Sequence, residues 1–280
     1  MANLLRVSPE RIGSGFEHRV MLTSDHHLGA ATTDEARIVK DLERARKENA
    51  RIIVNGDVFD FILPGDKKRF QQSALADWLH GKDDIVNACI QRAYDLYAPY
   101  ADLIDVIGDG NHDTALSKHH AADAVALLVQ LLNERTSSNI LHGGYRGWIT
   151  YRWYVSTTAT VNLKLYRHHG AGGGAPATRG MLDLTRMIGF VPMADVVTVG
   201  HKHHRWAAKY GYLQLLDSGR EVESEGLFVM TGAYMDTYAP KGNYAANWNI
   251  SPMPKGGVMV TARLKRNNKE GRDFVCSADV

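Results

Sequence analysis

Cysteine is nearly absent from this sequence: Cys89 and Cys276 are the only two in 280 residues. Two thiols so far apart make neither a disulfide framework nor a thiolate metal site. Long apolar runs are missing as well, and nothing approaches the roughly 18 residues that a membrane helix needs. Residues 1 to 19 include Arg6, Glu10, Arg11, Glu17 and His18 and lack the apolar stretch of a secretory signal. A reducing cytoplasm is therefore the expected setting, with no membrane partner. Charge of one sign is not in excess either. A formal net charge of +2 does not call for nucleic acid as a partner. The one basic cluster, Arg263, Lys265, Arg266, Lys269 and Arg272 around Asn267-Asn268, reads as a solvated strand edge and turn, because edge strands carry Lys and Arg against mispairing.

What is present is a 44% hydrophobic chain able to build a sizeable core, without internal repeat or composition break. A single domain over residues 1–280 is expected, since layered α/β folds often run to this length. Residues 19–23, 52–54 and 103–107 read as buried strands. Helical periodicity appears over 34–48, opened by a Thr32/Glu35 capping box, and over 84–98, stopped near Pro99. Residues 121–132 are apolar nearly all round and predict a buried helix. This β-α-β-α-β-α order implies parallel pairing. The texture then changes. Residues 148–155 and 160–167 predict a hairpin around a Ser-Thr-Thr turn, 178–188 a helix and 196–199 a strand. Short strands follow at 204–210, 212–216, 226–230, 257–264 and 272–276. Two sheets packed face to face with helices outside are the expected α/β architecture.

Five short motifs follow these strands in a fixed order: Asp25-His26-His27, Gly56-Asp57-Val58-Phe59-Asp60, Gly110-Asn111-His112-Asp113, His168-His169-Gly170 and Gly200-His201-Lys202-His203. Ligand sites of layered α/β folds collect at the C-terminal ends of strands, where loops converge. Asp25, His27, Asp57, Asn111, His169, His201 and His203 together make a cage of carboxylate, imidazole and one carboxamide that suits two divalent ions. Mixed oxygen and nitrogen ligation without thiolate fits Mn²⁺ as the expected ion, with Fe, Zn²⁺ or Ni²⁺ as alternatives, better than an all-oxygen Mg²⁺ site. With two carboxylates among its ligands such a centre keeps a small positive charge, attracts an anionic phosphate ester, and lowers the pKa of bound water to about 7.

In the order Asp-x-His, Gly-Asp-x-x-Asp, Gly-Asn-His-Asp, His-Gly, Gly-His-x-His the chain resembles the calcineurin-like metallophosphoesterase superfamily. The resemblance runs from Asp25 to His203, about two thirds of the chain, and is specific only as a whole. It implies a four-layer α-β-β-α sandwich of two mixed sheets flanked by helices. It further implies a dinuclear centre that hydrolyses phosphate mono- or diesters with a metal-bridging hydroxide as nucleophile. Carried over by position, Asp25, His27 and His203 would hold one ion and Asn111, His169 and His201 the other, with Asp57 bridging. His112 would act on the leaving oxygen, its ring oriented by Asp60 or Asp113. His169 is preferred to His168 because it directly precedes Gly170.

Other residues read more plainly. His80, His119, His120, His142 and His204 are expected at the surface or in hydrogen bonds. Arg167, Arg179 and Lys202 have either a phosphate-binding or a surface role. Trp148, Tyr151, Trp153 and Tyr154 read as sheet packing, Tyr234 and Asp236 are placed near the pocket, and Gly172-Gly173-Gly174 at its mouth. Two competing functions stand beside the leading one: a DNA exo- or endonuclease resembling metallophosphoesterase-fold repair nucleases, and a scaffold that keeps the fold without the chemistry. Substrate identity and oligomeric state are not readable from sequence.

Overall fold

The computed structural model describes residues 3–62, 70, 72–173, 178–236, 238, 251–265 and 273–280. In chain order its elements are β1 (Leu4–Arg11), β2 (Glu17–Thr23), α1 (Glu35–Lys47), β3 (Arg51–Val54), α2 (Ile85–Tyr97), β4 (Ile104–Ile107), α3 (Asn111–His120), α4 (Ala124–Thr136), β5 (Leu141–His142), β6 (Arg146–Tyr154), β7 (Thr160–His168), α5 (Met181–Phe190), β8 (Val196–Val199), β9 (Trp206–Leu215), β10 (Glu221–Met230), β11 (Val258–Leu264) and β12 (Phe274–Asp279). They form two six-stranded mixed sheets, ordered β12-β11-β2-β3-β4-β5 and β1-β6-β7-β8-β10-β9. As the strand-helix alternation implies, β2, β3, β4 and β5 pair in parallel.

Successive side chains of a strand point to opposite faces, and that sorts the core into three interfaces. In the first sheet Met21, Ile52, Val54 and Ile107 pack under α1, α2 and α4. Their sequence neighbours Val20, Leu22, Ile53 and Val106 meet Ile149, Leu163, Leu165 and Val229 of the second sheet. The outer face of that sheet, with Tyr166, Val197, Val199 and Phe228, is covered by Leu184 and Met187 of α5. The layers are thus helix, sheet, sheet, helix. Among the described residues no helix is long and apolar enough to cross a membrane.

Several local expectations are corrected. The cap of α1 is Asp34, whose carboxylate accepts from Arg37 N at 3.0 Å, so Thr32 and Glu35 form no capping box. Glu35 instead pairs with Arg92 of α2. The helix placed at 121–132 begins after Asp123, which caps it, and runs to Thr136. It buries one face only, and Leu127 is 48% exposed. Gly211 does not break the strand around it, because it pairs with Glu225 across a continuous β9–β10 ladder. Neither β1 nor α3 is apparent in the sequence pattern. Of the basic C-terminal cluster, Arg263 lies on β11 paired with Glu17. Arg266, Asn267, Asn268, Lys269 and Arg272 lie outside the described residues, as does Gly174.

Candidate metal centre

The five motifs follow the C-terminal ends of β2, β3, β4, β7 and β8. Their backbone is unusual. Among the described residues nine non-glycines have positive φ, and five of them are Asp25, His27, Asp57, His201 and His203, at 49° to 67°. Left-handed backbone is costly for such residues and persists only where the surroundings over-determine it. Here the loops hold one another. Asp25 N donates to Gly56 O at 2.9 Å and His27 N to Asp57 O at 3.0 Å. His201 N donates to the Asp25 carboxylate at 3.0 Å. The loops also press together at glycine: a Cβ on Gly110 would overlap the Asp57 carboxylate.

This framework brings together two groups of three side chains that could hold a metal ion, Asp25/His27/His203 and Asp57/His169/His201, and a third such group, His27/Asp60/His112, shares His27 with the first. In the first, His203 Nε2 lies 3.4 Å from Asp25 Oδ1 and 3.3 Å from His27 Nε2. In the second, His169 Nε2 lies 3.1 Å from Asp57 Oδ2 and 3.3 Å from Asn111 Oδ1. Asp57 joins the groups, because the same Oδ2 is 3.9 Å from His27 Nε2. Its other oxygen accepts from His112 N at 2.8 Å, a free amide of the first turn of α3. Asp25, His27, Asp57 and His169 are all buried.

The electrostatics of the donor set favour a cation. Burial alone would raise the Asp25 carboxyl, but the His203 contact and the imidazoles of His169, His203 and His27 hold it far below the carboxylate range. Burial opposes a charge on His169 too, yet Asp57 and Asp25 push it up to about 9. A proton on His169 Nε2 and a divalent ion compete for the same place. The ring nitrogens are oriented for it: His169 Nδ1 donates to Asn55 O at 2.8 Å, which turns Nε2 toward Asp57 and Asn111.

His112 stands beside this pair of groups, its ring 4.7 Å from that of His27. Of the two carboxylates that the sequence left open as its partner, the structure selects Asp60, whose Oδ1 lies 2.8 Å from His112 Nδ1. Asp113 is a cap instead, accepting from Gly110 N, Phe59 N and Val58 N. Burial and the nearby Asp57 charge push Asp113 up to about 7. Burial disfavours the charge on His112 as well, but the Asp60 bond and the Asp57 charge outweigh it and raise its pKa.

Other motif neighbours turn away. His26 Nδ1 meets Tyr97 OH, and His168 Nδ1 accepts from Gly170 N at 2.9 Å. Tyr234, placed near the pocket by sequence, is fully buried and donates to Asp41 Oδ2 at 2.8 Å. Asp236 is exposed and belongs to neither ligand group. Arg167 is neither a surface nor a phosphate residue: it is 1% exposed and donates to Gly144 O at 3.0 Å. Trp148 packs on the outer face of its sheet, opposite to Tyr151 and Trp153. Two further residues bear on the site without belonging to any motif. Asn55 orients His169, and its one sequence signal is its place between β3 and Gly56. Asp109 meets His142 Nε2 at 2.7 Å, and with Asp123 they form a more exposed fourth group beside the centre.

No family model matches the chain, and no curated protein matches it. Among solved structures it is similar to zinc-complexed Vps29 of Entamoeba histolytica, at 11% identity and TM-score 0.38 over 93% of this chain and 98% of that one. It is also similar to a predicted phosphoesterase of Streptococcus pneumoniae, at 12% identity and TM-score 0.35 over 95% and 90%. Vps29 of Chaetomium thermophilum aligns at 10% identity and TM-score 0.36 over 94% and 95%. At such identities and scores these likenesses decide nothing about chemistry, which rests on the site itself.

Proposed function

We propose that the chain is a dinuclear-metal-dependent hydrolase of phosphate esters. The observation that carries this reading is the pair of ligand groups joined by one carboxylate oxygen of Asp57, with the His112–Asp60 pair beside them. Asp25, His27 and His203 would hold the first ion, Asn111, His169 and His201 the second, and Asp57 both. Two bound divalent ions supply Lewis-acid polarisation of a phosphoryl oxygen and make hydroxide available near neutral pH. The chain's own residues do the rest. His112 keeps Nδ1 on Asp60, so Nε2 is the atom that gives its proton to the departing ester oxygen. The buried, hydrogen-bonded loops hold the groups in register before substrate arrives, so little reorganisation is needed on binding. The motif order shared with the calcineurin-like metallophosphoesterases supports the same reading, and Mn²⁺ is taken as the expected ion, with Fe, Zn²⁺ or Ni²⁺ as alternatives.

The test is elemental analysis of the Mn²⁺-saturated chain together with a substrate panel: a phosphomonoester, an aryl phosphodiester, a 2′,3′-cyclic nucleotide and single-stranded DNA. Two ions per chain and metal-dependent turnover of at least one ester are expected. Full activity with one ion per chain would refute the dinuclear centre, and two bound ions without turnover would leave a metal-binding scaffold. Cleavage confined to DNA, with affinity falling steeply in salt, would make the chain a nuclease.

A further inference from the structure

Lys202 lies between the two histidines of the last motif and is buried. It is 8% exposed, and its ammonium donates to the carbonyls of Ala171 at 2.6 Å, of Gly172, and of Gly173 at 2.9 Å. An ammonium has three donors and no acceptor, so these three carbonyls satisfy it completely. Among the described residues no carboxylate forms a salt bridge with it. Taking an ammonium out of water is costly unless every donor is met, so the 171–173 loop and Lys202 impose their shapes on each other. The fit extends to the ligand next door. Gly172 O also receives His201 Nε2 at 2.9 Å, and a Cβ on Gly170 would stand 2.7 Å from His201 Cβ. With Nε2 engaged, Nδ1 is the His201 nitrogen left to meet an ion.

We propose that Lys202 is a positioning residue for the second metal ion: its ammonium gathers the 171–173 carbonyls so that Gly172 O fixes the tautomer and rotation of His201. The inference rests on the ligand assignment proposed above. It runs against simple electrostatics. A lysine flanked in sequence by two proposed ligands repels the cations they would hold, so if charge alone mattered its removal would tighten metal binding. Positioning predicts the opposite, and for one ion only. The compact three-donor head also distinguishes lysine from arginine, whose planar fork suits bidentate partners rather than a tripod of carbonyls.

The experiment is calorimetric Zn²⁺ titration of the full chain and of Lys202→Met and Lys202→Arg, with a long-range proton–nitrogen spectrum of the Zn²⁺-loaded wild type. In Lys202→Met the dissociation constant of the second ion should rise about 10- to 100-fold, the usual worth of a group that orients a ligand, while the first ion is unchanged. Lys202→Arg should recover part of that loss. The spectrum should show His201 bound through Nδ1 with its proton on Nε2. Second-ion affinity that is unchanged or tighter in Lys202→Met overturns the proposal while leaving the dinuclear centre intact. A His201 bound through Nε2 overturns it too, and that spectrum needs no variant to fold. A wild type that binds fewer than two Zn²⁺ ions refutes the ligand assignment, and this role with it.

Discussion

Oδ1 of Asp60 lies 2.8 Å from Nδ1 of His112, and the same oxygen is 3.5 Å from Nδ1 of His27. The carboxylate thus orients the group proposed to protonate the leaving oxygen and stands near a histidine proposed to bind metal, whose Nδ1 makes no hydrogen bond among the described residues. Replacing it with a carboxamide changes its charge and little of its shape. Asp60→Asn should keep both ions and lose about 10- to 100-fold in rate, as removal of a group that orients others does. The Asp60 bond helps to raise the His112 pKa, so in the variant the alkaline fall in kcat should move to lower pH. A pH–rate profile checks this, and an unshifted alkaline limb would show that Asp60 does not set the proton affinity of His112.

Asp57 Oδ2 lies 3.1 Å from His169 Nε2 and 3.9 Å from His27 Nε2, close to both ligand groups, and as a bridge it would screen the repulsion between two ions. Asp57→Asn should therefore cost more activity and more bound metal than His27→Ala or His201→Ala. Kinetics and elemental analysis of the three variants decide it. Equal losses would mean that Asp57 serves one ion only.

The two ligand groups were legible in the sequence for a physical reason. Each motif follows a run that reads as a strand, and strands that end at one edge of a sheet bring their loops together. The β-strand period also explains why Met21 and Leu22, adjacent in sequence, enter different cores. What the sequence hid was local competition. Asp113 sits in the motif beside His112, yet three backbone amides claim its carboxylate, and only coordinates show which acceptor wins. Lys202 and Arg167 read as surface or substrate-binding cations, and their burial depends on carbonyls contributed by loops distant in sequence. Strand β1 exposes Leu5 and Val7, so its sequence shows little difference between its two faces. Helix α3 begins on the motif residues themselves and has no apolar stripe to announce it.

A second histidine gives a pH test independent of the metal centre. His18 packs against Tyr151 at 4.5 Å and Trp153 at 4.9 Å between ring centroids, and its Nε2 is buried without a partner. Burial, aided by the Arg51 charge and opposed by Asp105, lowers its pKa to about 4. The folded value lies below the unfolded one, so the unfolded chain binds the extra proton. The stabilisation is complete above about pH 6.5 and is lost as pH falls toward about 4, up to about 3 kcal/mol in all. Urea unfolding between pH 7 and 4.5 should show a steeper loss for wild type than for His18→Phe. Parallel curves would mean that His18 titrates normally in the folded chain.

The sharpest consequence concerns His112, which contributes its backbone N–H to Asp57 but no side-chain atom to the ligand group around Asp57. His112→Ala keeps that amide, so both ions should stay bound. The rate should fall about 10²- to 10⁴-fold, the usual worth of a positioned proton transfer. The size of the fall should depend on the substrate. Nitrophenolate departs with little need of a proton and should show a small loss, whereas an alkyl alkoxide must be protonated as it leaves and should show a large one. Comparing kcat on the two ester types therefore separates acid catalysis from charge stabilisation of the phosphoryl oxygens, which would impair both equally. Metal content read on the same samples guards the comparison. Loss of one ion in His112→Ala would place His112 among the ligands and free Asn111, 3.3 Å from His169 Nε2, for a substrate-facing role.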